Sequence, residues 1–152
     1  MIAWRFARFD ELSAREVHDI LQARSAVFVV EQDCVFQDVD GADPASLHLA
    51  GRDPAGVLLA YCRLIPPGIK FPEPSIGRVL TTGAARRKGL GRVLMAEAVR
   101  RAQGLWPGQA LRIGAQLYLE AFYGEFGFAK CSEPYDEDGI PHIEMLREGA
   151  NA

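Results

Sequence analysis

The sequence is poor in cysteine, carries no excess of basic charge and contains no long apolar run. Its three cysteines, Cys34, Cys62 and Cys131, are an odd number and form no Cys-x-x-Cys pair. That argues against a disulfide framework or a cysteine zinc site and fits free thiols in a reducing cytoplasm. Acidic side chains outnumber basic ones by 20 to 17, a net charge of −3. General nucleic-acid binding, which needs a basic face, is therefore not expected. No stretch approaches the ~20 apolar residues of a membrane span. The opening Met1-Ile-Ala-Trp-Arg-Phe-Ala-Arg-Phe-Asp10 also lacks the apolar run of a secretory leader. Internal repeats and low-complexity tracts are absent too.

What remains is an ordinary globular balance. The 152 residues are 49% hydrophobic and 24% charged, enough for one core in one domain spanning residues 1–152. The segments alternate between strand and helix patterns. Residues 2–9 read as a strand. Ser13-Ala-Arg-Glu16 has the capping-box spacing, so a helix starts there and runs toward Glu31. A polar loop follows over Gln37–Ser46. Leu47–Gly51 and Val57–Ile65 read as a hairpin, and Ile76–Thr82 as the next strand. Leu90–Leu105 has an apolar helical face, and Trp106-Pro107-Gly108 stops it. A strand over Leu111–Gln116, a short helix over Leu117–Phe126 and strands near Phe128–Glu133 and Ile143–Arg147 complete an α/β sandwich around a mixed sheet.

The segment Arg86-Arg87-Lys88-Gly89-Leu90-Gly91 lies between a strand and a helix. A helix N-terminus offers unpartnered N–H groups and about half a positive charge, which together bind anions. Gly89 and Gly91 allow close approach to the backbone, and the three basic side chains add charge. Two familiar phosphate loops are excluded by residue. A G-x-x-x-x-G-K-[ST] loop fails because Lys88 precedes Gly89 and no Ser or Thr follows. A G-x-G-x-x-G fingerprint fails because Leu94 stands where the third glycine belongs.

The segment resembles instead the [RQ]-x-x-G-x-[GA] cofactor motif of the GNAT superfamily of N-acetyltransferases. A second motif agrees. Gln116-Leu-Tyr-Leu-Glu-Ala-Phe-Tyr-Gly-Glu-Phe-Gly-Phe128 resembles the other GNAT signature, a strand end followed by a helix carrying Phe-Tyr-x-x-x-Gly-Phe. Val27-Phe-Val-Val-Glu-Gln32, Asp38-Val-Asp40 and Asp138-Gly-Ile-Pro-His142 look like the ElaA-type branch. The resemblance covers nearly the whole chain. It implies the GNAT fold, a mixed central β-sheet flanked by helices, and acetyl-CoA as cofactor. It also implies that Arg86, Arg87, Lys88, Gly89, Leu90, Gly91 and Arg92 hold the pyrophosphate, while the backbone of Val79, Leu80 and Thr81 bonds the pantetheine.

Acyl transfer to an amine needs a fixed thioester, a polarised carbonyl, a base for the amine and a proton for the thiolate. Tyr123 matches the family tyrosine near the sulfur, and a phenol is protonated at neutral pH. Gln116 stands where many members have Asn and is expected on the pantetheine. Glu31, His48 and His142 are candidate bases, with Glu31 and His142 preferred because a helix end and a strand start suit the acceptor cleft. An imidazole's ordinary pKa of ~6.5 suits the role. His18 reads as a surface residue. Gly83 departs from the proline many members carry there. The acidic loop 37–43 and Asp136, Glu137 and Asp138 can attract a cationic amine. The expected activity is transfer of acetyl from acetyl-CoA to a small-molecule or peptide amine by a cytoplasmic monomer or homodimer. No metal, membrane or nucleic-acid partner is expected. Two alternatives stand beside it: an acyl-CoA-binding sensor without turnover and, disfavoured by the failed loop patterns, a nucleotide-binding protein.

Overall fold

The computed structural model describes residues 1–86 and 88–149 of the chain; Arg87 lies outside the described residues. Strand β1 (Ala3–Arg8) leads to α1 (Ala14–Arg24), which opens on the expected capping box. Ser13 Oγ accepts from the Glu16 N–H at 3.1 Å, and Glu16 Oε1 accepts from the Ser13 N–H at 2.9 Å. The helix continues as a wider π-helical turn over Ser25–Glu31. Strands β2 (Leu47–Arg52), β3 (Leu58–Ile65) and β4 (Ser75–Thr81) follow, then α2 (Leu90–Leu105) and β5 (Leu111–Gln116). The stretch read as one short helix is a 3-10 turn, Leu117–Leu119, and then α3 (Glu120–Gly124).

The C-terminal region departs from the two-strand expectation. It contains β6 (Ala129–Lys130), β7 (Tyr135–Glu137) and β8 (Ile140–Arg147), with β7 paired to the first residues of β8. The residues read as a loop, Asp136 to Pro141, are therefore a tight hairpin. Asp138 (φ +53°) and Gly139 (φ +84°) turn it in the left-handed region. Polar residues at a hairpin tip read as loop in sequence, because the pairing partners that make them strand lie outside the local window.

The strands form two antiparallel sheets, β1-β2-β3-β4 and β5-β8-β6, with β7 also on β8. The expected mixed character comes from the seam between them. Helix α2 carries the chain across from β4 to β5, so these two strands run in the same direction. Arg112 N–H donates to Pro74 O at 3.0 Å where both strands begin. Beyond that point no ladder joins them among the described residues, and they diverge. A bulge assists the divergence. Tyr61 pairs with Leu80 but Arg63 with Gly77, so β4 carries one residue more than β3 across the interval, and Arg78 there has φ +50°.

The first sheet separates two apolar clusters. Leu49, Ala60, Cys62, Leu64 and Ile76 pack with Leu94, Met95, Ala98 and Ala102 of α2 and with Tyr123. On the opposite face, Ala50, Tyr61 and Leu80 pack with Ile20 of α1. The β4–β5 gap is thus open to both faces of the sheet. Among the described residues, no helix is long and apolar enough to cross a membrane.

Candidate active site

The divergence of β4 and β5 opens a cleft of about 510 Å³. One wall is β4 from Ile76 to Thr81, and the other is β5 from Ile113 to Gln116. The π-helical turn and the loop after it close one side with Phe28, Glu31, Cys34 and Phe36, and the β7–β8 hairpin adds Glu137, Asp138 and His142. Tyr123 reaches it from α3. Residues far apart in sequence therefore share one cavity: Glu31, Val79, Leu80, Thr81, Arg86, Gln116, Tyr123 and His142 line it, whereas His48 and Lys88 to Arg92 do not.

The free edge of β4 supplies backbone groups. Thr82 N–H donates to Leu59 O at 2.9 Å, and Leu80 lies directly opposite Tyr61. In an antiparallel ladder the bonded direction alternates, so Leu80 bonds toward β3 while Thr81 turns its N–H and C=O groups to the cleft, and Val79, in the bulge, has no partner in the β3 register. Arg86 lines the cleft beside them, with its Nε 3.4 Å from Thr81 O and its Nη2 2.7 Å from Glu31 Oε1. Glu31 is thereby tied to the basic segment. Lys88 to Arg92 lie beyond the lining residues, where the chain turns into α2. Gly89 is its N-cap at φ +72°, a conformation that suits glycine. No side chain caps the helix, so its first N–H groups remain for another acceptor. The Arg92 guanidinium is engaged by both carboxylate oxygens of Glu125, at 3.0 and 3.2 Å.

Tyr123 is both a core residue and a cleft residue. Its ring meets Phe122 and Phe128 edge-on, at 5.2 and 6.3 Å between centroids. Burial raises its phenol above the ordinary value, so it stays neutral throughout the physiological range. Its hydroxyl lacks a hydrogen-bond partner among the described residues. At the far end of β5, Gln116 Nε2 donates to Gln32 Oε1 at 3.2 Å, and Gln116 pairs in register with His142. His142 Nδ1 lies 2.7 Å from Ile140 O, which can only accept, so Nδ1 carries the proton of the neutral ring. The lone pair is then on Nε2, 3.3 Å from Glu137 Oε2.

Two sequence expectations change. His48 is 2% exposed, with Nδ1 2.7 Å from Tyr61 Oη and Nε2 3.0 Å from Asp43 O. It sits under the first sheet, outside the cleft, and burial lowers its pKa. It is a structural residue. The acidic loop 37–43 is not a free anionic surface either. Arg24 bonds Asp38 and Asp43, Arg63 bonds Asp40 and Asp43, and Arg78 and Lys70 reach Asp38 and Asp40. Burial opposes ionisation of Asp40, but hydrogen bonds from Arg63 and Lys70 outweigh it and hold that carboxyl far below the usual range. These carboxylates are spent inside the protein, because three arginines distant in sequence fold back onto them. Asp136, Glu137 and Asp138 remain exposed, at the hairpin.

A two-sided sheet that splits between β4 and β5, with a bulge in β4 and an uncapped helix after it, defines the acyl-CoA N-acyltransferase class of fold. Accordingly, the chain belongs to the acetyltransferase (GNAT) domain family, which it matches over residues 48–148, and within it resembles the ElaA-type branch. ElaA of Escherichia coli is 40% identical, covering 97% of both chains, and a UPF0039 protein of Synechocystis is 46% identical over 95% of this chain and 94% of its own. Among solved structures, an acyl-CoA N-acyltransferase from Pseudomonas aeruginosa superposes with a TM-score of 0.92. It is 42% identical and covers 97% of this chain and 99% of its own. The Escherichia coli ElaA crystal structure gives 0.91 at 39% identity, covering 97% and 100%. The chemistry of this family is transfer of an acyl group from an acyl-CoA to an acceptor.

Proposed function

We propose that this protein moves an acetyl group from acetyl-CoA to a primary amine of a small molecule or peptide, by direct attack of the amine on the thioester. The observation that carries this reading is the β4–β5 cleft itself, with a neutral Tyr123 hydroxyl that has no partner among the described residues on one wall, and the Thr81 N–H and the bulge residue Val79 on the other.

The residues fit the cofactor by chemistry. Thr81 and Val79 present a bare strand edge, and pantetheine carries amides that can bond to it as an added strand does. Arg86, Lys88 and the N–H groups from Leu90 to Arg92 favour a pyrophosphate at the start of α2. Arg87 belongs to the same motif. An N–H at Val79 or Thr81 is the group available to polarise the thioester carbonyl. The tautomer of His142 leaves its Nε2 lone pair available to take the amine proton, with Glu137 beside it to accept the resulting charge. Glu31 is the other candidate base, although Arg86 already occupies one of its oxygens. Gln116 offers its amide oxygen to the pantetheine. Tyr123 donates a hydrogen bond to the departing sulfur. Burial makes the phenol a weaker acid than the thiol it faces, so it stabilises the thiolate without giving up its proton outright.

A free-thiol assay of acetyl-CoA with polyamines, aminoglycosides, amino acids and peptides tests the proposal. Thiol release that depends on one class of amine, with a mass increase on that amine, is expected. Tight acetyl-CoA binding without release for any amine would favour the sensor reading instead.

A further inference from the structure

Arg78 is the one member of the buried charge network that also lines the cleft. It occupies the β4 bulge at φ +50°, and the bulge turns its side chain toward the loop 38–43 side. Its Nε lies 2.8 Å from Asp38 Oδ1. Its Nη2 donates to Asp38 O at 3.0 Å and to Asp40 Oδ2 at 3.3 Å. Its guanidinium carbon stands 5.5 Å over the Phe36 ring, another cleft residue. The Nη2 hydrogen bonds hold the guanidinium, Nε makes an ion-pair contact without a hydrogen bond, and Nη1 is left over. Nη1 makes no hydrogen bond among the described residues, and the side chain keeps 22% of its surface accessible.

The charge around it is unbalanced. Arg24, Arg63, Arg78 and Lys70 are four cations, and Asp38, Asp40 and Asp43 are three carboxylates. Two of these cations keep accessible surface: Lys70, 40% exposed and outside the cleft lining, and Arg78, which unlike the buried Arg24 and Arg63 is reached from the cavity. Desolvation, with Arg63 as a like-charged neighbour, lowers the pKa of Arg78, as expected of a cation short of anionic partners. A fixed guanidinium with an open Nη group, in a partly desolvated cleft, is a receptor for a carboxylate. The opposite chemistry lies in the same cavity: the His142 lone pair and the Glu137 carboxylate suit an amine.

We infer that Arg78 selects the acceptor, and that the acceptor is an amine that also carries a carboxylate, of the amino-acid class. Arg78 binds the carboxylate while the amine faces His142. This rests on the proposed amine acetylation for its amine half. The carboxylate half stands on Arg78 alone.

The test uses matched probes: phenylalanine, glutamate and lysine, each against its α-carboxamide and its decarboxylated amine. Binding to the protein saturated with CoA is measured by calorimetry, and turnover with acetyl-CoA by thiol release. For at least one set, the acid is expected to bind and react at least tenfold better than either partner, through KM. In Arg78→Gln that ratio collapses to within about threefold, and Arg78→Lys, which keeps the charge but loses the fork, falls between. The wild-type comparison needs no variant, so a folding defect in Arg78→Gln does not remove the test. If amides or plain amines are acetylated as well as the acids, the inference fails while amine acetylation stands. If no probe is acetylated but the acids still bind in an Arg78-dependent way, acetylation of these amines fails while the carboxylate site stands. If acids neither bind nor react better than their amides, or if Arg78→Gln lowers acid and amide equally, the inference is overturned.

Discussion

Gly91→Glu separates a structural glycine from a cofactor glycine. Gly91 is the second residue of α2, and a Cβ built on it meets only the Phe122 ring, at 3.7 Å, an ordinary contact. Nothing in the protein therefore forbids a side chain there. Glutamate is favoured over glycine in helices, and its charge suits a first turn, so the variant should be roughly 0.5–1 kcal/mol more stable. For a domain of this size that corresponds to a rise of roughly 1–4 °C in Tm. The motif accepts alanine at this position, so a methyl alone is tolerated. If a pyrophosphate rests on the N–H groups here, the added carboxylate competes for them and repels it. Losing one hydrogen bond to a charged group costs about 1.5–3 kcal/mol, which weakens acetyl-CoA binding by roughly 10- to 150-fold. The assay is a thermal melt of the free protein beside a calorimetric titration with acetyl-CoA. Stability and affinity should move in opposite directions. An unchanged Kd would show that the phosphates do not rest on this helix start.

Tyr123→Phe keeps the ring contacts to Phe122 and Phe128 and removes a hydroxyl that has no partner among the described residues. Steady-state kinetics should find kcat about 100-fold lower, with Kd for acetyl-CoA and Tm little changed; undiminished kcat would remove the hydroxyl from the chemistry. Arg63→Met strips Asp40 and Asp43 of the guanidinium that bonds both of them inside the network, so urea unfolding should find it destabilised by about 3 kcal/mol or more, and a loss under about 1 kcal/mol would refute that role. Burial holds the His48 pKa below its unfolded value of ~6.5, so the unfolded chain binds its proton first as pH falls. Stability from this group is complete above ~6.5 and is lost as pH drops from there through the folded pKa. Unfolding curves between pH 8 and 5 should show that fall, and His48→Gln should flatten it.

Local patterns carried much of the fold. The box at Ser13 and Glu16, the apolar face of Leu90–Leu105 and the Trp106-Pro107-Gly108 stop are each decided by neighbours a few residues away, and each stands where the spacing predicts. The two GNAT motifs likewise lie at one cleft, the first through Arg86 and the second through Gln116 and Tyr123, because each spans a strand-to-helix junction that its own residues define. The β7–β8 hairpin escaped, since its strand character depends on a partner edge and not on its acidic composition. So did the fate of Asp38, Asp40 and Asp43. An acidic loop reads as solvated unless Arg24, Arg63 and Arg78 are known to converge on it, and they come from a helix and two strands. Arg78 was invisible for the same reason. Its left-handed conformation in a strand follows from a register mismatch with β3 that no local pattern encodes.

The central claim is that the β4–β5 cleft and the start of α2 hold the acyl-CoA. Hydrogen–deuterium exchange with and without acetyl-CoA tests it most directly. Protection should appear in peptides covering Val79 to Arg92 and Gln116 to Tyr123, where the unladdered strand edge and the uncapped helix gain partners, and the β1–β2 pairing should be unaffected. Binding accompanied by protection elsewhere, with these segments unchanged, would contradict the account.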